Sequence, residues 1–349
     1  MKKMLAALAL SMMAVTMFAA DLISFVPNDA QGLVYLDVSR LINLQQVKDI
    51  RTKNKDFNNQ WLDFEKSLQP LGLQLKDMPS EALMFFRMDQ SQFGIVAKSK
   101  INEAKLVSLL KTQKMPNGKK AEYTVQTIAG RKVYIIKTDE DLPVGKGPKE
   151  EVAVTFLKPD VVLLTEKPQV NAILSGMGKG PSAKLSNAVK QIKRPALAWM
   201  VCEQQPPKAP QGQPGQPVIA NPMSSIKSIG ISLDLTGKDQ KDLSLNADVE
   251  CINAQSASSL AMQLNGLMMM FVPQGFAGDP QLGSEVAKSI KLRPENSNVK
   301  IDVSVPELLL NKIQKYLEQR QKMMAPQVRP VQPIQPPAPA AAPAQPKAK

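Results

Sequence analysis

Ile229, Ile231, Leu233 and Leu235 occupy every second position of one run, and Leu243, Leu245, Ala247, Val249 and Cys251 repeat the pattern shortly after, with polar residues between. Successive side chains of a β-strand point to opposite faces, so this spacing makes one apolar and one polar side only if the backbone is extended. The chain must therefore hold part of a sheet with one face on a core and the other toward water. Further strands are expected at 32–38, 82–88, 93–98, 152–157, 161–165 and 196–202, and a hairpin at 123–128 and 132–137 turns at Ala129-Gly130-Arg131.

Helical spacing separates these runs. Phe57, Trp61, Phe64 and Leu68 recur at intervals of four, three and four, which lays one apolar stripe along a helix that Pro70 and Gly72 end. Ser39 reads as the cap of a preceding helical stretch and Asn102 as the cap of a helix over 103–111. Further helices are expected over 169–175, 183–192, 254–271 and 281–290, with a last one starting at Pro306. From residue 33 the order is strand, helical insertion, strand pair, Ile101-Asn102, helix, hairpin. From residue 197 it is strand, Pro-rich insertion, strand pair, Ile252-Asn253, helix, hairpin. That order predicts an α+β fold of two related units, an internal repeat in which each unit is a mainly antiparallel sheet covered by helices on one face.

The ends differ from this body. Lys2 and Lys3 precede an apolar run from Met4 to Phe18, and Ala19 and Ala20 offer small residues for cleavage, which reads as a signal peptide over 1–20. Phe18 stands where a small residue is preferred, so a retained anchor is the alternative; no later run is long enough to span a bilayer. The first unit then covers 21–192 and the second 193–324, interrupted by a Pro/Gln-rich disordered loop at 204–222. A basic, proline-rich disordered tail follows at 325–349. The expected location is periplasmic or secreted.

Composition narrows function. The 349 residues contain no His, which removes the usual general base, the commonest transition-metal ligand and every Ser-His or Cys-His pair. The net charge of +13, which loses two with Lys2 and Lys3 on cleavage and leaves +11, suits an anionic partner such as a cell-envelope polymer or lipid headgroups, or another envelope protein. Export, scattered basic residues and an aromatic content of 5% argue against nucleic acid.

Candidate chemistry is sparse. Ser-x-x-Lys occurs at Ser108 to Lys111, Ser224 to Lys227 and Ser297 to Lys300; no Lys-Thr-Gly accompanies it, and helical spacing turns Ser108 to water. Gly176-Met177-Gly178-Lys179-Gly180-Pro181-Ser182 reads as a helix C-cap and turn rather than a phosphate cradle, and Asp139-Glu140-Asp141 as an exposed acidic loop rather than a calcium loop. Met268, Met269, Met270 and Met262 read as flexible core packing, because three consecutive helical residues cannot meet one ion. Cys202 and Cys251, on apolar strands of an exported chain, leave open a disulfide or two buried thiols. Asp37, Asp234 and Asp248 are the strand carboxylates that a hydrolase without His would use. No catalytic residue, metal ligand or cofactor site follows from the sequence.

At Phe25-Val26-Pro27-Asn28-Asp29-Ala30, running into the first strand, the chain resembles a broad group of uncharacterised exported bacterial proteins with a signal peptide and tandem strand-pair and helix units. That resemblance covers most of the chain and implies no activity. The expected function is that of a non-enzymatic envelope binding or scaffold protein. The alternatives are a carrier of an apolar ligand between sheet and helices, and a carboxylate-only hydrolase.

Overall fold

The computed structural model describes residues 22–68, 74–75, 78–88, 92–112, 122–137, 151–193, 195–204, 222–237 and 239–324. The expected signal peptide at 1–20, the acidic stretch at 139–141, nearly all of the Pro/Gln-rich stretch at 204–222 and the expected tail at 325–349 lie outside them.

The fold is α+β. Twelve strands form one sheet: β1 (Gly32–Asp37), β2 (Glu81–Arg87), β3 (Gln92–Lys98), β4 (Tyr123–Ile128), β5 (Arg131–Lys137), β6 (Glu151–Lys158), β7 (Val161–Glu166), β8 (Ala198–Glu203), β9 (Ile226–Thr236), β10 (Asp242–Cys251), β11 (Ile290–Glu295) and β12 (Asn298–Val305). Their spatial order is β11-β12-β10-β9-β8-β1-β2-β3-β7-β6-β5-β4, with every neighbouring pair antiparallel. The separate sheets expected of two units are thus joined: β1 lies beside β8, with Leu33 opposite Val201 and Tyr35 opposite Trp199. The Tyr35 and Trp199 rings stack across this seam at 5.3 Å.

The helices are α1 (Val38–Asn43), α2 (Gln45–Lys53), α3 (Lys55–Leu68), α4 (Glu103–Thr112), α5 (Lys167–Gly176), α6 (Ala183–Gln191), α7 (Ala254–Gly275), α8 (Pro280–Lys288) and α9 (Glu307–Met324). Asn102 and Asn253 cap α4 and α7, each side-chain oxygen accepting a backbone N–H three residues on at 2.8 Å. Each helix follows the third strand of a meander, and the strand register places both on the same face of the sheet. Two details depart from the expected order. The hairpin beside β3 is β6-β7, while β4-β5 lies at the outer edge. The α1 cap is Asp37, which accepts the Arg40 N–H at 2.8 Å, and Ser39 lies inside the helix.

Burial splits the sheet. Over β1-β2-β3-β7-β6-β5 both faces are covered. On one, Leu33, Leu83, Val96, Val161, Leu163 and Ile135 pack under α5, α6 and residues 22–30. On the other, Ala82, Ile95, Ala97, Val154, Val162 and Tyr134 pack under α4. Over β10, β12 and β11 only one face is covered: Val249, Cys251, Val299 and Ile301 meet α7, while Leu243, Val303 and Val305 meet α8 and α9. The opposite face carries Ser244, Asn246, Asp248 and Glu250 on β10, Asn298, Lys300, Asp302 and Ser304 on β12, and Lys291, Arg293 and Glu295 on β11. Among the described residues no apolar cluster lies over it. Coverage by helices on one face therefore describes the second half, whereas the first half is covered on both.

Candidate functional site

Asp37 and Asp234 lie close enough to interact, with Arg40 shared between them, while Asp248 pairs elsewhere with Lys300 and Asn298, and each has a structural task. Asp37, 6% exposed, caps α1, and burial pushes its carboxyl above the ordinary range against the pull of the Arg40 N–H and guanidinium. Asp234 pairs with Arg40 at 2.7 Å, and the same guanidinium donates to the Leu235 carbonyl at 3.0 Å, tying α1 to β9. Asp248, 8% exposed, lies on β10, where it pairs with Lys300 and accepts from Asn298 Nδ2 at 2.9 Å.

The remaining sequence motifs resolve in similar fashion. Ser108 is exposed on α4. Across the glycine-rich link, Gly178 and Gly180 take positive φ of 89° and 68°, and Ser182 caps α6, accepting the Leu185 N–H at 3.0 Å. The link is a C-cap and turn whose polar end is already engaged. Cys202 on β8 and Cys251 on β10 are free thiols with β9 between their strands, and burial raises the pKa of both. Desolvated thiols of this kind carry little thiolate and act as small apolar side chains.

Two open grooves flank α2. One of about 580 Å³ is lined by Ser39, Arg40, Asn43, Leu44, Gln45, Asp239 and Gln240. The other, of about 770 Å³, runs between α2 and α9. It brings together Asp49, Glu307 and Glu318, three acids that the sequence did not single out. Each has a near partner: Gln45 Nε2 donates to Asp49 at 2.8 Å, Lys241 lies 3.2 Å from Glu307, and Gln314 Nε2 donates to Glu318 at 2.8 Å. Lys53, Lys55, Asn54 and Asn311 complete a polar lining in which Ile50 and Leu310 are the apolar members. This is not the apolar chamber that a carrier of a greasy ligand needs.

One feature among the described residues that lacks a structural task lies on α7. Ala257, Leu260 and Ala261 are buried against the sheet, and Leu264 is half-buried at the same core. Met262 is 77% exposed, Met269 65%, Phe271 58% and Met270 54%, with Leu267 close behind. The expectation of methionine core packing is overturned for Met262, Met269 and Met270. Residues 267–272 are six consecutive apolar side chains, which at 100° per residue surround the helix and cannot all reach the core. Phe271 lies seven residues from Leu264, on the sheet-facing side, yet it is mostly exposed: the C-terminal half of α7 extends past what the sheet can cover.

No family model matches the chain, and no curated protein matches it. Among solved structures, crystal form I of TP0453 is similar to it with a TM-score of 0.43 and 10% identity, over 85% of this chain and 97% of that one. Crystal form III of TP0453 gives 0.41 and 10%, over 84% and 96%.

Proposed function

We propose that the protein is an exported, non-enzymatic envelope protein, a binding or scaffold module that works by surface contact with an anionic component of the envelope. The observation that supports this reading is the exposed apolar half of α7, on a chain whose net charge is +13. An uncovered patch of large apolar side chains marks a contact surface, and the overall charge selects the sign of what it meets. The strand carboxylates are engaged in capping, clamping and pairing, which gives a hydrolytic reading no free acid and base at those positions.

Fractionation of cells that make the protein from its full sequence tests the reading. The expected result is a protein found with the envelope, released in part by raised salt and completely only when detergent is added as well. Recovery in the cytoplasmic fraction, or in a freely soluble extracellular form that does not rebind isolated envelopes, overturns it.

A further inference from the structure

We infer that the outer edge of β4 pairs antiparallel with the same edge of a second copy, so that the protein self-associates about a twofold axis at Val125 and the sheet runs on across the pair. Such pairing is independent of what the surface binds in the envelope.

Hydrogen bonding identifies what the edge offers. The Lys137 N–H donates to the Glu122 carbonyl at 3.1 Å, which makes 122 and 137 a hydrogen-bonded pair of the β4-β5 ladder. Along antiparallel strands such pairs alternate with pairs whose backbone groups point away from each other. Thr124 opposite Ile135 and Gln126 opposite Val133 therefore turn their groups toward β5, while Tyr123, Val125 and Thr127 turn theirs outward. β4 is the last strand of the sheet, so these N–H and C=O groups face away from it. The ladder runs without a bulge to Ala129-Gly130, whose φ values of 50° and 74° make a two-residue turn that fixes the register.

Symmetry and side chains select a second copy. An axis perpendicular to the sheet keeps each face of β4 on the same side in both copies, so facing residues come from the same face. With the axis at Val125, Val125 meets Val125 of the second copy and Tyr123 meets Thr127, and all three outward residues fall in hydrogen-bonded pairs. An axis at Gln126 would set Tyr123 against Ala129 in the turn and lose that pair. β-branched and aromatic side chains facing each other in this way stabilise a strand pair. An unrelated strand would have to match them by chance, whereas the twofold supplies the match from one sequence. Tyr-Thr-Val-Gln-Thr-Ile holds no charge and no Pro, so a chain of net charge +13 meets its copy with no like charges on the paired strands. Thr124 to Thr127 are all exposed, Val125 by 52%. The other edge of the sheet is guarded: β11 carries Lys291, Arg293, Pro294 and Glu295, and charge and a missing N–H both oppose pairing there.

Sedimentation velocity over a range of concentrations, on protein purified from cells that make it from its full sequence, tests the pairing. The parent is expected to pass reversibly from monomer to dimer as concentration rises, because a six-residue edge is a small contact. Val125→Lys and Val125→Glu each set like charges against one another at the axis, and each should weaken the dimer roughly tenfold or more. Mixed in equal amounts, the two variants bring opposite charges together at the axis and should recover the dimer. Val125 is exposed, so both variants should keep the circular dichroism and melting temperature of the parent. A parent that stays monomeric at every concentration overturns the inference. A dimer that persists in both variants overturns the assignment to β4, and loss in each variant without recovery on mixing overturns the twofold at Val125.

Discussion

The two halves of the sheet solve different packing problems with the same antiparallel ladder. From β1 to β7 the strands lie between two layers, so β6 and β7 are buried on both faces. Val154, Val161 and Leu163 are all 0% exposed. From β10 to β11 the strands have helices on one face, while the other is touched by the end of α6 only near Asp248 and Asn298 and is otherwise open to water. Their apolar side chains are mostly half-buried, and their polar side chains pair with one another across the strands. A doubly covered strand has no use for alternation and reads as a near-continuous apolar run, whereas a singly covered strand must alternate. Stability should therefore concentrate in the first half, which leaves the second free to carry exposed chemistry.

The most direct way to break this contrast is to truncate one leucine in each half. Leu163→Ala removes a fully buried side chain with neighbours on all sides and should cost about 2–5 kcal/mol in urea unfolding. Leu245→Ala, on half-buried β10, should cost clearly less. Equal losses would mean that the second half is as tightly enclosed as the first. The close approach of β1, β2 and β3 allows a second comparison. Gly94 faces the Phe85 ring across the strand pair, and a Cβ there would run into ring carbon; at Gly32 a Cβ would run into the Phe86 ring in the same way. Gly94→Ala, where the buried Phe85 ring must shift, should cost about 1–3 kcal/mol by overpacking, and Gly32→Ala less, because the half-exposed Phe86 ring can swing aside. A tolerated Gly94→Ala, seen as an unchanged melting temperature, would show these rings to be looser than the enclosed layers imply.

Much of this division can be read in the chain. The alternation of 229–235 and 243–251 defines the half-open strands, the runs at 152–157 and 161–165 define the enclosed ones, and Asn102 and Asn253 mark their helices. What escaped the sequence was long-range or degenerate. The seam of β1 on β8 joins residues 32–36 to 198–202, and no local pattern encodes a pairing over that separation. Ser39 and Asp37 are both good caps, and the choice depended on where β1 ends. The run 267–272 has apolar residues at every azimuth, so periodicity has no face to report and exposure could not be inferred. The α2/α9 groove joins residues some 260 positions apart, for example Asp49 and Glu307, so its acids were invisible as a group.

The polar face of the second half sharpens the comparison at a smaller scale. Asp248, with Lys300 and Asn298 against it, is nearly buried, and removing it leaves a partly covered ammonium without its counter-charge. Asp248→Ala should therefore cost about 1–3 kcal/mol. Asp302, paired with Arg293 at 2.8 Å, belongs to a pair that is 57% and 36% exposed, and its loss should cost about 0–1 kcal/mol. Chemical denaturation of both variants measures the difference. If the two losses are equal, the open face has no buried interior.

The smallest expected effect concerns acid, and its sign depends on which carboxyl is followed. Burial holds Asp37 above its ordinary value of 3.8, so between that value and its folded pKa the native protein keeps a proton that the unfolded chain has released. The folded state binds more protons in that window, and this group's contribution falls as pH rises through it. Glu103 runs the other way. The Tyr134 hydroxyl donates to its carboxylate at 2.5 Å and, with Lys132 nearby, holds its pKa below 4.5; its contribution is present above 4.5 and lost as pH falls through the folded value. The same hydrogen bond, after burial, raises Tyr134 to about 12. Asp37→Asn keeps a side-chain oxygen to cap α1 while removing the ionisation, so it should flatten the decline above pH 3.8. Glu103→Gln should flatten the loss below pH 4.5. Urea midpoints between pH 3 and 7 for the parent and both variants resolve the two slopes. A steeper decline above pH 3.8 in Asp37→Asn would mean that the Arg40 contacts, not burial, govern the charged end of β1.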